Sequence, residues 1–319
     1  MSKNKCHIGI DTSNYKTSVA AVSGDGILIF ERSEFLEVEA GARGLRQSTA
    51  FFMHVKRLPD LVREMFEAIE GEDVLSVSVS YAPRRTEGSY MPVFLAGQST
   101  AKSISAALGV PCFEFSHQEG HIESAVFSCG TEVPDRFAFF HLSGGTTEYL
   151  ICERSDEGIS AEIVGGSRDI SIGQLLDRVG VKAGFPFPAG RYLDEIASSA
   201  GAAEKLPSKI KFNDGYFNLS GIESEIMRNM ERGEGPDASG IFSRISDLLY
   251  DSAVWISRKY DLDVVYMAGG VGASRRIRRD MAEKSGPGSP DIRFASPELS
   301  GDNAVGTALL GRRTYERGF

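Results

Sequence analysis

Short apolar runs alternate along the chain with stretches whose apolar residues recur every three or four positions, the pattern of strands interleaved with amphipathic helices. Residues 7–10, 18–22 and 27–32 predict three strands, joined through the polar turn Asp11-Thr12-Ser13 and the tight turn Gly24-Asp25-Gly26. Leu58, Leu61, Val62, Met65, Phe66 and Ile69 share one helix face. A strand over 75–80 follows, then a helix over 93–108 closed by Gly109, a strand over 111–115 and a helix over 116–127. The order then begins again, with a strand over 137–142, the turn Ser143-Gly144-Gly145-Thr146-Thr147, and strands over 148–152 and 159–164. A Pro- and Gly-richer stretch between 184 and 240 reads as an insertion. Beyond it come a long amphipathic helix over 241–259, a strand over 264–267, the turn Gly269-Gly270-Val271-Gly272, a helix over 274–284, a strand near 292–294 and a last helix over 303–312. Two rounds of strand–turn–strand–strand followed by helices predict an α/β chain duplicated at domain scale.

A length of 319 residues exceeds one ordinary core and suits two. The hydrophobic share of 41% and charged share of 25% are those of a globular protein. Cys6, Cys112, Cys129 and Cys152 form no CxxC pair, which argues against a disulfide framework and a cysteine zinc site and fits a reducing, cytoplasmic compartment. No apolar run has the length of a membrane span, and the polar start at residues 1–5 leads straight into a strand, so neither a membrane anchor nor a signal peptide is expected. The net charge of −9 means that contact with RNA needs a local patch or a partner. Arg275, Arg276, Arg278 and Arg279 are the best local candidate, although such a run ordinarily forms a solvated helix face.

The sharpest chemical feature is His117 and His121. Ser116 and Glu119 form a capping-box pattern that starts a helix, and residues four apart share a helix face, so both imidazoles can reach one divalent ion. Glu119 does not adjoin the first histidine, so this is not the HExxH protease motif. Two histidines do not complete a site. Asp302 can add a carboxylate, although its local pattern reads as an N-cap. His141, at a strand end, is either a further ligand or a packed histidine. The turns at Asp11, Ser143 and Gly269 each follow an apolar strand and offer backbone N–H groups to phosphate, and none matches a Walker A loop or the GxGxxG fingerprint. Asp177, on a helix, either takes a ribose hydroxyl or is an exposed helix aspartate, and Gly190 either lets a ribose or base lie against the backbone or is an ordinary loop glycine.

Together these motifs resemble the tRNA threonylcarbamoyladenosine synthase family, once misnamed O-sialoglycoprotease, over residues 8–311. Residues 9–13 resemble its opening turn, His54-Val55 its first-helix motif, residues 116–121 its HxEGH motif and Ser143-Gly144-Gly145 its SGGHT loop. Residues 173–177 and 186–190 resemble its nucleotide-side segments, and residues 217–221 its FSFSG segment. Gly269-Gly270-Val271 with Arg275, and Pro297-Glu298-Leu299 with Asp302-Asn303, resemble its last two motifs.

The resemblance implies a duplicated actin-like ATPase fold of the ribonuclease H-like class, with two domains and a cleft between them. The first domain would span 1–132 and recover the C-terminal helix 300–319; the second would span 133–299, with the insertion around 184–240. It implies one divalent metal, iron or zinc, on His117, His121 and Asp302. Some relatives carry a tyrosine ligand at the position of His141. Ser143, Gly144, Gly145, Thr146, Asp177, Gly190 and Ser274 would hold an adenine nucleotide, as threonylcarbamoyl-AMP or ATP/ADP. The implied reaction is acyl transfer of threonylcarbamoyl to N6 of adenosine 37 in tRNA, with a paralogous dimerisation subunit and a small ATPase subunit as partners.

The sequence also departs from the family. Thr146 replaces its loop histidine, Ser274 its asparagine, Asn14-Tyr15-Lys16-Thr17 its CDET and residues 83–89 its GPG(x)PGS loop. These changes suggest a divergent paralogue. The alternatives are a non-catalytic regulatory subunit binding nucleotide and metal, or a carbamoyltransferase acting on a small molecule.

Overall fold

The strand and helix patterns fold into two units in a computed structural model that describes residues 4–13, 15–37, 45–130, 133–201 and 206–318. Of the positions singled out in sequence, Asn14 and residues 1–3 lie outside these. The first unit comprises Met1–Thr131, Arg154–Ser160 and Gly301–Phe319; the second comprises Glu132–Glu153 and Ala161–Ser300.

The chain begins with β1 (Lys5–Thr12), β2 (Lys16–Ser23) and β3 (Leu28–Phe35), then α1 (Gln47–Ala68), β4 (Asp73–Ala82), α2 (Phe94–Leu108), β5 (Cys112–Ser116) and α3 (His117–Phe127). The strands form one sheet in the order β3-β2-β1-β4-β5, antiparallel through the β1–β3 meander and parallel from β1 to β4 and β5. Central strands buried on both faces read as near-continuous apolar runs. Accordingly Ile8, Ile10, Val19, Ala21, Val77 and Val79 share a core with Leu58, Leu61 and Met65 of α1. That helix begins at Gln47, well before the stripe that announces it in sequence, because Ala50, Phe51 and His54 extend its inward face.

The second round runs β6 (Arg136–Leu142), β7 (Thr147–Ser155), β8 (Gly158–Ser167), α4 (Ile172–Lys182), α5 (Gly190–Ser199), β9 (Phe212–Asn213), β10 (Tyr216–Phe217), α6 (Ser220–Glu231), α7 (Ala238–Tyr260), β11 (Val264–Ala268), α8 (Arg275–Lys284) and β12 (Asp291–Phe294), with α9 (Val305–Glu316) closing the chain in the first unit. Its sheet has the order β12-β11-β6-β7-β8-β10-β9. The inserted stretch is itself structured: α5, the β9–β10 ribbon and α6 occupy it, and β10 pairs parallel to β8. Among the described residues no helix is long and apolar enough to cross a membrane.

Two expectations change on folding. The arginine run of α8 is not a uniform solvated face. Arg276 is 4% exposed, paired with Asp280 at 2.7 Å and bonded to the Ala197 carbonyl, while Arg278 donates to the carbonyls of Gly272 and Ala295. Nor is Asp302 the cap of the last helix. That helix starts at Val305, whose N–H is taken by Asn303 Oδ1, and the cap position is Ala304.

Candidate metal centre and nucleotide cavity

α3 is started by the capping box foreseen in sequence: Ser116 Oγ accepts from the Glu119 N–H, and the Glu119 carboxylate accepts from the Ser116 N–H at 2.7 Å. Glu119 is 1% exposed and fully engaged, since it also accepts from the Ile159 N–H and pairs with Arg85. It therefore braces the helix and is not free to act as a base. Its work fixes the first turn of α3, where His117 and His121 stand with ring centroids 4.4 Å apart.

Asp302 arrives from far along the chain because α9 packs directly on α3. A Cβ on Gly306 would overlap the Gly120 carbonyl oxygen and lie 2.7 Å from the Ser124 nitrogen, so only glycine permits this backbone-to-backbone approach. Ser124 Oγ donates to Asn303 Oδ1 at 2.9 Å across the same contact. The outcome is a cluster in which His121 Nε2 lies 2.7 Å and His117 Nε2 3.5 Å from Asp302 Oδ1. One ligand atom from each of the three residues falls within 4.8 Å of the others.

The opening turn supplies the supports. Asp11 Oδ1 sits 2.8 Å from His117 Nδ1, and Ser13 Oγ donates to Asp302 Oδ2 at 3.1 Å. Thr12 Oγ1 donates to the Val93 carbonyl and accepts from the Gly97 N–H, which ties α2 to β1. The side chains of this turn orient the histidine–aspartate cluster.

Electrostatics match a cation. Burial opposes charge on His117, yet the Asp11 carboxylate and then Asp302 outweigh it and carry the imidazole up to about 10. Burial likewise opposes the Asp302 carboxylate, and hydrogen bonds from His117 and His121 hold it far below the usual carboxylate range. The two carboxylates therefore create a field that retains positive charge between them, a role a dication fills as readily as a proton. Two imidazoles with one carboxylate make a donor set suited to zinc or iron, and three protein ligands is the count of catalytic sites. An imidazole whose second nitrogen meets a carboxylate is the usual outer support of such a ligand. The residues present fit the group.

A separate cavity of about 350 Å³ lies within the second unit, lined by Gly144, Gly173, Asp177, Gly190, Asp194 and Ser274 among others. Its walls are fixed by backbone bonds. Ser171 starts α4 with a second capping box and donates to the Gly144 carbonyl at 2.7 Å. A Cβ on Gly173 would lie 2.5 Å from Gly144 Cα, so the strand-end turn rests directly on the helix start. Asp177 Oδ1 accepts from the N–H groups of Ala189 and Gly190 at 2.8 and 2.9 Å. Its expected availability to a ribose is thus shared with holding the 189–190 backbone. Ser274 caps α8, accepting from the Ile277 N–H, and donates to Asp194 Oδ1 at 2.5 Å. Asp194 also takes the N–H groups of Arg275 and Arg276.

Of the sequence candidates, Gly144, Asp177, Gly190 and Ser274 meet in this cavity. Ser143, Gly145 and Thr146 do not line it: Ser143 and Thr146 close the adjoining turn, with Ser143 Oγ accepting from the Thr146 N–H at 3.0 Å. His141 stands at the end of β6 in the second unit, opposite Glu148 and Ala268. Sequence reasoning missed Asp194 and the roles of Asp11, Ser13 and Arg85. The available signal for Asp194 was a carboxylate one turn beyond Gly190; for Asp11 it was an acid closing the first strand.

Residues 42–309 match the family model described as tRNA N6-adenosine threonylcarbamoyltransferase. A curated relative of that name from Thermotoga neapolitana is 26% identical over 98% of this chain and 95% of its own length. One from Streptococcus suis is 28% identical over 99% and 94%. Among solved structures, full-length HypF in its phosphate- and nucleotide-bound form superposes with a TM-score of 0.62 at 15% identity, covering 98% of this chain and 55% of HypF. A ROK family glucokinase from Streptomyces griseus gives 0.53 at 14%, covering 97% and 99%. The fold is the actin-like ATPase fold.

Proposed function

Because the chain belongs to the tRNA N6-adenosine threonylcarbamoyltransferase family, we propose that it transfers the threonylcarbamoyl group of threonylcarbamoyl-AMP to N6 of adenosine 37 in tRNA. The observation that carries this reading is the convergence of His117, His121 and Asp302 within 4.8 Å in a member of that family. In the reaction the N6 amine attacks the carbamoyl carbonyl carbon, the bond from that carbon to the phosphate oxygen breaks, AMP leaves and N6 loses a proton. His117, His121 and Asp302 hold one divalent ion, iron or zinc, which when bound supplies a Lewis acid for the carbonyl. Asp11 keeps the His117 ring turned with Nε2 toward the site, and Ser13 keeps Asp302 turned likewise. The second unit takes the adenosine portion of the adenylate in its cavity. Asp177 and Asp194 are acceptors there for ribose hydroxyls or the adenine amino group, and Gly144 and Gly270 let a phosphate approach the backbone.

The reading brings with it a cytoplasmic setting, a paralogous dimerisation subunit and a small ATPase subunit. A second reading, an altered acceptor or a regulatory binding role, is favoured by Ser274: its hydroxyl is committed to Asp194 where the family has an asparagine.

The test supplies the purified protein, with its partner subunits, with threonylcarbamoyl-AMP and unmodified tRNA, and measures modified adenosine by mass spectrometry. Modified tRNA is expected. No product while a reference synthase works in the same buffer overturns the reading, and product on a small amine in its place establishes the second.

A further inference from the structure

A groove of about 680 Å³ lies in the second unit, apart from the nucleotide cavity and sharing no lining residue with it. One wall is the segment 208–211, another the β9–β10 ribbon at the sheet edge, and a third the first turns of α6. Its lining carries four cations, Arg168, Lys209, Lys211 and Arg228, against one carboxylate, Glu225. Glu225 is already occupied by the Ser208 N–H. Among the described residues none of the four cations forms an ion pair, whereas the neighbouring Arg178 and Arg244 do. In a chain of net charge −9, a concavity whose lining carries an excess of positive charge calls for a ligand.

The rest of the lining narrows the chemistry. Ile210, Phe217 and Ile222 form a buried floor, while Asn213, Asn218 and Ser220 are exposed and offer neutral hydrogen-bond groups. The Arg168 guanidinium lies 4.5 Å from the centre of the Tyr216 ring, which holds its planar fork in place. Asp169, next in the chain, is not paired with it: that carboxylate accepts from the N–H groups of Ile170, Leu219 and Ser220. A stacked arginine beside spaced lysines and neutral amides suits a chain of phosphodiesters with accessible bases, and the groove is far larger than a single phosphate requires.

We infer that this groove binds the phosphodiester backbone of the RNA substrate. The inference rests on the reading of tRNA as acceptor and adds to it a docking surface separate from the residues that handle the adenylate and the metal.

The full-length protein is compared with Lys209→Glu/Lys211→Glu and with the milder Lys209→Ala/Lys211→Ala. All four changes are at exposed positions. Affinity for unmodified tRNA is measured by fluorescence anisotropy across a salt series, beside adenine-nucleotide affinity and metal content. The double glutamate variant is expected to bind tRNA about tenfold more weakly or worse, and each alanine to lower the salt slope by about 1. Nucleotide affinity and metal content are expected to stay at the wild-type level. Equal tRNA affinity and salt slope in all three proteins, with tRNA still modified, overturn the groove and leave the transferase reading standing. No tRNA binding by the wild type at low salt, with nucleotide and metal bound, overturns the acceptor reading and the groove with it. Displacement of tRNA by millimolar inorganic phosphate alone marks a small-anion site and overturns the inference.

Discussion

The two candidate sites are built on opposite plans. In the first unit, titratable side chains face one another: Asp302 lies against two histidines, and Asp11 against one of them. In the second unit, the carboxylates of Asp177 and Asp194 face backbone N–H groups and shape a cavity lined by glycines and by apolar residues such as Leu176, Phe242 and Val271. The first arrangement concentrates charge for an ion. The second fixes a shape for a ligand that is mostly neutral. A substitution in the first should therefore change ion occupancy, and one in the second should change ligand fit.

The largest expected effect separates the two plans most sharply. Asp302→Ala removes one of three donors and is expected to lower the transfer rate by about a thousandfold or more while nucleotide affinity holds. Unchanged transfer, measured as modified adenosine per minute, would remove the cluster from the mechanism. Gly306→Ala tests the packing beneath it. Forcing a methyl between α9 and α3 is expected to destabilise the protein by about 1–3 kcal/mol and to lower metal retention, read as a fall in Tm together with metal content. Asp11→Asn keeps the shape and removes the charge behind His117, and metal affinity is expected to fall about 10–100-fold with little change in Tm. Asp177→Asn is the counterpart in the second unit. Weakened bonds to Ala189 and Gly190 are expected to cost about tenfold in adenine-nucleotide affinity with metal content untouched. An equal loss of metal there would erase the distinction between the sites.

Protons sharpen the same contrast. With its imidazole raised from 6.5 to about 10, His117 is protonated at neutral pH in the metal-free protein and must release that proton to a metal. Metal affinity is therefore expected to rise with pH, by about tenfold per unit for one released proton, and to level off near pH 10. In the metal-free protein the sign reverses. The raised His117 contributes stability in full below 6.5 and loses it through about 10, while the depressed Asp302 contributes above the ordinary carboxylate range and loses it in acid. Competition titration at several pH values and thermal melts of the metal-free protein read the two separately.

The sequence made local chemistry legible and long-range placement obscure. Ser116, His117, Glu119 and His121 lie within one helix start, so a capping box and an i, i+4 pair were enough to orient two imidazoles. Asp302 stands 181 positions beyond His121, and its neighbours favoured an N-cap; what makes it a neighbour is the contact of Gly306 with Gly120, which no local pattern announces. The arginines of α8 illustrate the opposite error. A charge run reads as solvated, yet Arg276 is buried because Asp280 one turn on and the Ala197 carbonyl satisfy it. The insertion was visible as a change in composition. Its basic groove was not, since Arg168, the 208–211 segment and Arg228 come together only when β10 pairs with β8.

The most direct test of the account is elemental analysis of the full-length protein, purified after growth with iron and zinc supplied, with Asp302→Ala prepared in parallel. One iron or zinc per wild-type chain, and a fraction of that in the variant, is the expected result. A wild-type protein that carries neither metal, or a variant that retains the full amount, would contradict the assignment of His117, His121 and Asp302 as the centre at which this chain does its chemistry.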